Sequence, residues 1–99
     1  MSTRIIRYRA KPERADENQK LIEGVFADLA EQHPAGVNYA SFRLPDDSFI
    51  HVVRIEGDDA SLTSLPAFQR FQDGIGERFA EPPVFVEGTV VGLHGFAVG

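Results

Sequence analysis

Between residues 37 and 55 two apolar stretches flank Pro45-Asp46-Asp47-Ser48, the pattern of two antiparallel strands joined by a tight turn. If the turn is symmetric about Asp46-Asp47, Leu44 faces Phe49, Phe42 faces His51, Ala40 faces Val53 and Asn38 faces Ile55. A loop of two or of four residues gives the same parity. This set reads as core. The opposite side then carries Arg43, Ile50, Ser41, Val52, Tyr39 and Arg54, a mixture of aromatic, hydroxyl, guanidinium and aliphatic groups expected of a pocket or an interface.

The flanking patterns place this hairpin in a larger order. Arg4 to Ala10 alternates bulky apolar and basic residues, a first strand that ends at Pro12 for want of a ladder donor. From Glu13 to Gln32, Leu21, Ile22, Val25, Phe26 and Leu29 recur at helical spacing. Acidic residues crowd the first turns, as the helix dipole favours, and His33-Pro34-Ala35-Gly36 stops the helix. Asp58 to Leu62 reads as a turn or a single helical turn. Ser64 with Pro66 then opens a second helix whose stripe is Phe68, Phe71, Ile75 and Phe79, weakened by Gly74 and Gly76 and ended by Pro82-Pro83. Val84 to Leu93 is the last strand, with Val84, Val86 and Val90 on one side and Phe85, Glu87, Thr89, Val91 and Leu93 on the other. The sequence thus predicts an α+β, ferredoxin-like βαββαβ order in a single domain over residues 1–99, with two helices on one face of a four-stranded antiparallel sheet.

That arrangement leaves the other sheet face bare, and the third and fourth strands are apolar on both sides. Exposing Ile50, Val52, Phe85 and Val91 would cost several kcal/mol, at about 1.5–3 kcal/mol per large side chain. That is comparable with the whole stability of a small domain. The expected solution is a homodimer packed sheet to sheet. A net charge of -5 disfavours nucleic acid and anionic membranes as partners. The absence of cysteine removes disulfides, thiolate metal sites and cysteine nucleophiles. With no apolar run suited to a signal peptide and none near the ~20 residues of a membrane span, a cytoplasmic protein is expected.

The stretch Ser41-Phe42-Arg43-Leu44-Pro45-Asp46-Asp47-Ser48-Phe49-Ile50-His51-Val52-Val53-Arg54-Ile55, followed by Leu65-Pro66-Ala67-Phe68-Gln69-Arg70-Phe71, resembles the antibiotic-biosynthesis monooxygenase-like family of dimeric α/β barrels. The resemblance covers nearly the whole chain and rests on element order rather than on a catalytic signature. It implies a barrel-like dimer with a cavity between sheet and helices in each subunit. Some members of that family oxygenate electron-rich aromatic substrates without a metal or flavin, others bind or degrade haem, others isomerise lactones and many have no assigned activity; no cofactor is expected here. Many members carry a glutamate and a tryptophan on the third strand, where this chain has Val53 and Ile55. Haem-degrading members use a histidine on the second helix and an asparagine on the first strand, and this chain has neither there.

Among candidate residues, Tyr39 and Arg54 are expected as cross-strand neighbours. Tyr39 would donate a proton or hold a phenolate or carboxylate that Arg54 stabilises; the structural alternative is a tyrosine stacked on a guanidinium at an interface. Glu87 and Arg7 are placed on that same face, as site residues or as an ion pair. His51, with an ordinary pKa near 6.5, is a candidate general base or else a hydrogen-bonded core residue. Ser41, Val52, Phe68, Phe71 and Glu87 are the candidate ligand-binding residues, the phenylalanines being equally good core. His33 suits a helix end. The spread of His33, His51 and His94 lacks metal-site spacing, so no metal site is expected. No phosphate loop surrounds Gly74-Ile75-Gly76, and no hydrolase triad surrounds Ser41, Ser61 or Ser64. The leading expectation is a homodimeric cofactor-independent monooxygenase for a small apolar or aromatic molecule. The alternative is a non-catalytic binding or accessory dimer.

Overall fold

The computed structural model describes residues 2–57 and 60–95. Four strands, β1 (Ser2–Arg9), β2 (Val37–Arg43), β3 (Ser48–Ile55) and β4 (Val84–Thr89), form one antiparallel sheet in the order β2-β3-β1-β4. A 3-10 turn over Pro12–Arg14 leads into the long helix α1 (Ala15–Gln32). Three short helices, α2 (Ala60–Thr63), α3 (Pro66–Gln72) and α4 (Ile75–Arg78), lie between β3 and β4. This is the expected ferredoxin-like α+β fold.

The core fills the space between the sheet and the helices. Tyr8, Phe49 and Val53 from the strands meet Ile22 and Val25 of α1, Leu62 of α2 and Phe71 of α3, all buried. α1 ends where the sequence predicts: His33 adopts the left-handed conformation (φ 45°), and its N–H caps the Leu29 carbonyl at 2.9 Å. The second helix is not continuous. Gly74 takes φ 68°, which breaks the aromatic stripe into α3 and α4. The break lets the end of α4 and the residues after it dock on the end of β1 and the residues after it, through Lys11 N–H to Arg78 O (2.8 Å) and Ala80 N–H to Arg9 O (2.7 Å).

The hairpin register differs from expectation by one residue. Leu44 N–H bonds to Ser48 O (2.8 Å), Asp47 N–H bonds to Leu44 O (3.0 Å), and Asp47 is left-handed (φ 65°), so the loop holds three residues, Pro45, Asp46 and Asp47. An odd loop reverses the parity of β2 against β3. The pairs are Tyr39 with Val53, Ser41 with His51, Arg43 with Phe49, Ala40 with Val52 and Phe42 with Ile50. Phe49, His51 and Val53 keep their place facing the helices, but Tyr39, Ser41 and Arg43 join them there. Asn38, Ala40 and Phe42 turn to the open face with Ile50, Val52 and Arg54.

Other faces shift accordingly. Arg4 pairs with Glu87 and Ile6 with Phe85, which puts Glu87 and Phe85 on the helix side. Arg7 pairs with Val84 on the open side, so Arg7 and Glu87 do not share a face. The open face is nonetheless apolar: Phe42, Val84 and Val86 are 50%, 57% and 51% exposed beside half-buried Ile5, Ile50 and Val52. β4 stops at Thr89, four residues short of expectation, where its ladder with β1 ends at the Ser2–Thr89 pair. Val91 lies beyond the sheet, fully exposed.

Candidate active site

His51 sits at the centre of β3 and is only 2% exposed. The hairpin register brings Ser41 directly across from it, with Tyr39 two residues along the same strand, and β1 supplies Tyr8 from the other side. Both ring nitrogens are engaged. Nε2 lies 2.9 Å from Tyr8 Oη, while Nδ1 lies 2.9 Å from Tyr39 Oη and 2.8 Å from Ser41 Oγ. The Tyr8 ring stacks on the imidazole (centroids 5.4 Å), and Phe71 of α3 packs against it at 5.5 Å.

The hydrogen bonds continue behind Tyr8. Asn18 Nδ2 of α1 donates to Tyr8 Oη at 2.9 Å, and Arg78 Nε of α4 donates to Asn18 Oδ1 at 2.9 Å. The guanidinium also donates to the Phe71 and Asp73 carbonyls. Asn18 and Arg78 are both buried, and every link is satisfied, as a polar chain inside an apolar core requires.

Burial sets the electrostatics. It pushes the His51 imidazole down to about 4, so the ring is neutral at pH 7. It raises the Tyr8 phenol to about 12, against the opposing hydrogen bond from Asn18 and the Arg78 charge. Tyr39 is raised too, chiefly by burial; the Ser41 hydroxyl opposes this and Tyr8 adds to it. Both tyrosines therefore keep their protons and act as neutral hydrogen-bonding groups.

In front of this cluster is a cavity of about 270 Å³ between the sheet and α2–α4. Its wall is mostly apolar, with Ile6, Phe68, Phe71, Ile75 and Phe79 around Tyr8, Tyr39 and His51. The exposed members of its lining, Arg4, Thr63, Gln72 and Phe85, mark its mouth. A second, larger groove of about 550 Å³ lies between α1 and β2, with Gln19, Glu23, Ser41 and Arg43 among its lining residues. That groove holds only Ser41 of the His51 cluster. The inner cavity is where convergent polar groups meet an aromatic wall, the combination expected of a small-molecule site.

The structure therefore brings together Tyr39, His51, Ser41, Phe68 and Phe71. Arg54 is not among them: it projects from the opposite face, paired with Asn38, and its Nε is buried with no hydrogen-bond partner. Val52 lies on that open face, and Glu87 is exposed and outside the cavity lining. Tyr8, Asn18 and Arg78 are additions to the expected set. Asn18 carried a readable signal, since it stands four and seven residues before Ile22 and Val25, on the apolar stripe of α1. Among the described residues no cluster of three potential ligands could hold a metal ion, and no helix is long and apolar enough to cross a membrane.

No family model matches the chain, and no curated protein matches it. Solved structures do. A protein from Nitrosomonas europaea described as a candidate antibiotic biosynthesis monooxygenase superposes with a TM-score of 0.73 at 10% identity, over 91% of this chain and 89% of that one. A protein named antibiotic biosynthesis monooxygenase gives 0.68 at 21% identity, over 93% and 100% of the two chains. A Caulobacter crescentus protein, likewise described as a candidate antibiotic biosynthesis monooxygenase, gives 0.67 at 16% identity, over 92% and 90%. The fold of this chain is that of solved proteins named antibiotic biosynthesis monooxygenases, as the resemblance in the sequence implied.

Proposed function

We propose that this chain binds a small aromatic molecule in the cavity before His51 and oxygenates it without a cofactor, as one half of a homodimer. The observation that carries the reading is the hydrogen-bonded cluster of Tyr8, Tyr39 and His51 in an otherwise mostly apolar cavity. An activated substrate CH₂ would lose a proton to form an anion. The Tyr39 hydroxyl would donate to the oxygen on which that charge gathers, among mostly apolar side chains. The proton would reach His51 Nε2 through the Tyr8 hydroxyl, since Tyr8 lines the cavity and its Oη lies 2.9 Å from that nitrogen. The carbon then meets O₂ directly. One oxygen atom becomes the new carbonyl and the other leaves with the two hydrogens as water, the substrate supplying all four electrons.

The dimer is supported by the open face, where Phe42, Val84 and Val86 stand half-exposed around Ile50 and Val52. A two-fold related copy would cover both faces at once. A second reading, a binding or accessory dimer without turnover, is favoured by one observation: both nitrogens of His51 are already engaged and its basicity is low.

Oxygen uptake with electron-rich aromatic ketones, followed in the wild type and in Tyr39→Phe, separates the two readings. Substrate-dependent uptake that falls at least tenfold in Tyr39→Phe supports the oxygenase. Tight binding without uptake overturns it in favour of the accessory protein.

A further inference from the structure

The hydrogen bonds behind His51 run in one direction, and the side chain that sets it lies outside the cavity lining. A guanidinium has N–H groups only and accepts nothing. Arg78 Nε therefore donates to Asn18 Oδ1, which fixes the orientation of the Asn18 amide and leaves Nδ2 to donate to Tyr8 Oη. Tyr8 is buried, and the remaining partner of its hydroxyl is His51 Nε2. Among the protein's own groups the phenolic proton finds an acceptor only at that nitrogen, since a proton on Nε2 would leave the Tyr8 proton without one. A neutral imidazole that accepts at Nε2 carries its proton at Nδ1, facing Tyr39 Oη and Ser41 Oγ.

We propose that Arg78 and Asn18 are positioning residues that hold His51 as its Nδ1–H tautomer. With Nδ1–H donated on that side and the Ser41 hydroxyl donating to Tyr39, Tyr39 is an acceptor within the cluster and a donor on the cavity side, so the molecule received there presents an acceptor oxygen, a carbonyl or a phenolate. With the opposite tautomer Tyr39 would spend its proton on Nδ1, and the cavity would select for a donor instead. The ligand half of this inference rests on the cavity being the binding site; the tautomer half does not.

Nitrogen-15 spectra of the imidazole in the full chain at pH 7 test the tautomer directly. The wild type is expected to show a proton-bearing Nδ1 and a lone-pair Nε2. Asn18→Asp keeps the shape but accepts from both Arg78 and Tyr8, so the Tyr8 proton turns away and the two nitrogen signals exchange character. Tyr8→Phe, which removes the donor altogether, is expected to give a mixture and decides the matter if Asn18→Asp fails to fold. A wild-type ring protonated at Nε2, or a tautomer that neither substitution alters, overturns the proposal. A merely structural role for Asn18 would not move these signals.

For the ligand, α-tetralone (a carbonyl acceptor) is compared with tetralin, its hydrocarbon counterpart. The wild type is expected to bind the ketone about threefold to tenfold more tightly, the scale of one hydrogen bond, and Tyr39→Phe to lose that preference while still binding tetralin. Equal binding of the two by the wild type overturns the donor assignment. Binding of neither, with the tautomer as stated, overturns the cavity reading and leaves the directed chain standing.

Discussion

The two faces of the sheet reverse the usual distribution of polar and apolar groups. The face under the helices holds a buried histidine and tyrosine with a partly buried serine and second tyrosine, joined to an asparagine and an arginine from the helices. The face turned to solvent carries Phe42, Ile50, Val52, Val84 and Val86. The first depends on direction and distance, since each buried polar atom must meet a partner within about 3 Å or lose hydration uncompensated. The second depends only on being covered, because apolar burial has no preferred angle. Substitutions should therefore act on folding at the first face and on association at the second.

The largest effect is expected at Arg78. Arg78→Met keeps much of the volume but strips donors from Asn18 Oδ1 and from the Phe71 and Asp73 carbonyls. At about 1–3 kcal/mol per orphaned group, a loss of about 4 kcal/mol in urea denaturation is expected. A loss under about 1 kcal/mol would show that the buried chain matters little to stability.

Next is acid sensitivity at His51. Its folded pKa is depressed to about 4 against an ordinary 6.5, so between those values the unfolded chain binds the extra proton. Stability attributable to this group is complete above pH 6.5 and is lost as pH falls toward 4, by about 3 kcal/mol in all. Denaturation midpoints of the wild type and of His51→Gln across that range check the sign. Parallel pH profiles would remove His51 as the source.

The smallest effect on the subunit itself is expected on the open face. Phe42→Glu and Val86→Lys each replace a half-exposed side chain and should change the stability of the single chain by no more than about 0.5 kcal/mol. Light scattering should nevertheless show the variants as single chains at micromolar concentrations where the wild type is paired. A wild type that is itself a single chain would break the comparison, leaving the apolar face without the role assigned to it.

The sequence carried the fold further than it carried the site. Strand and helix patterns around Ile22, Val25, Phe49 and Val53 are strongly periodic, and periodicity is decided by many residues at once. The site hinged on a single residue of loop length. Asp47 in the left-handed region converts an even loop to an odd one, and aspartate tolerates that region well enough to give no warning. That slip placed Tyr39 beside Arg54 instead of His51. Arg78 was hidden for another reason: Gly74 interrupts the helical phase, so its facing does not follow from the stripe of Phe68 and Phe71. Asn18 was legible as a polar residue on an apolar stripe, but only once a buried partner for it is considered.

The three-residue loop between Leu44 and Ser48 also constrains how such a chain can diverge. Gaining or losing one codon there would turn Tyr39 and Ser41 away from His51 and bring Ala40 and Phe42 to the helix side, exchanging the chemistry around the imidazole without touching any of those residues. Changes of two codons would preserve it. Descendants of this chain are thus free to vary the turn in even steps, while each odd step founds a binding site of a different kind.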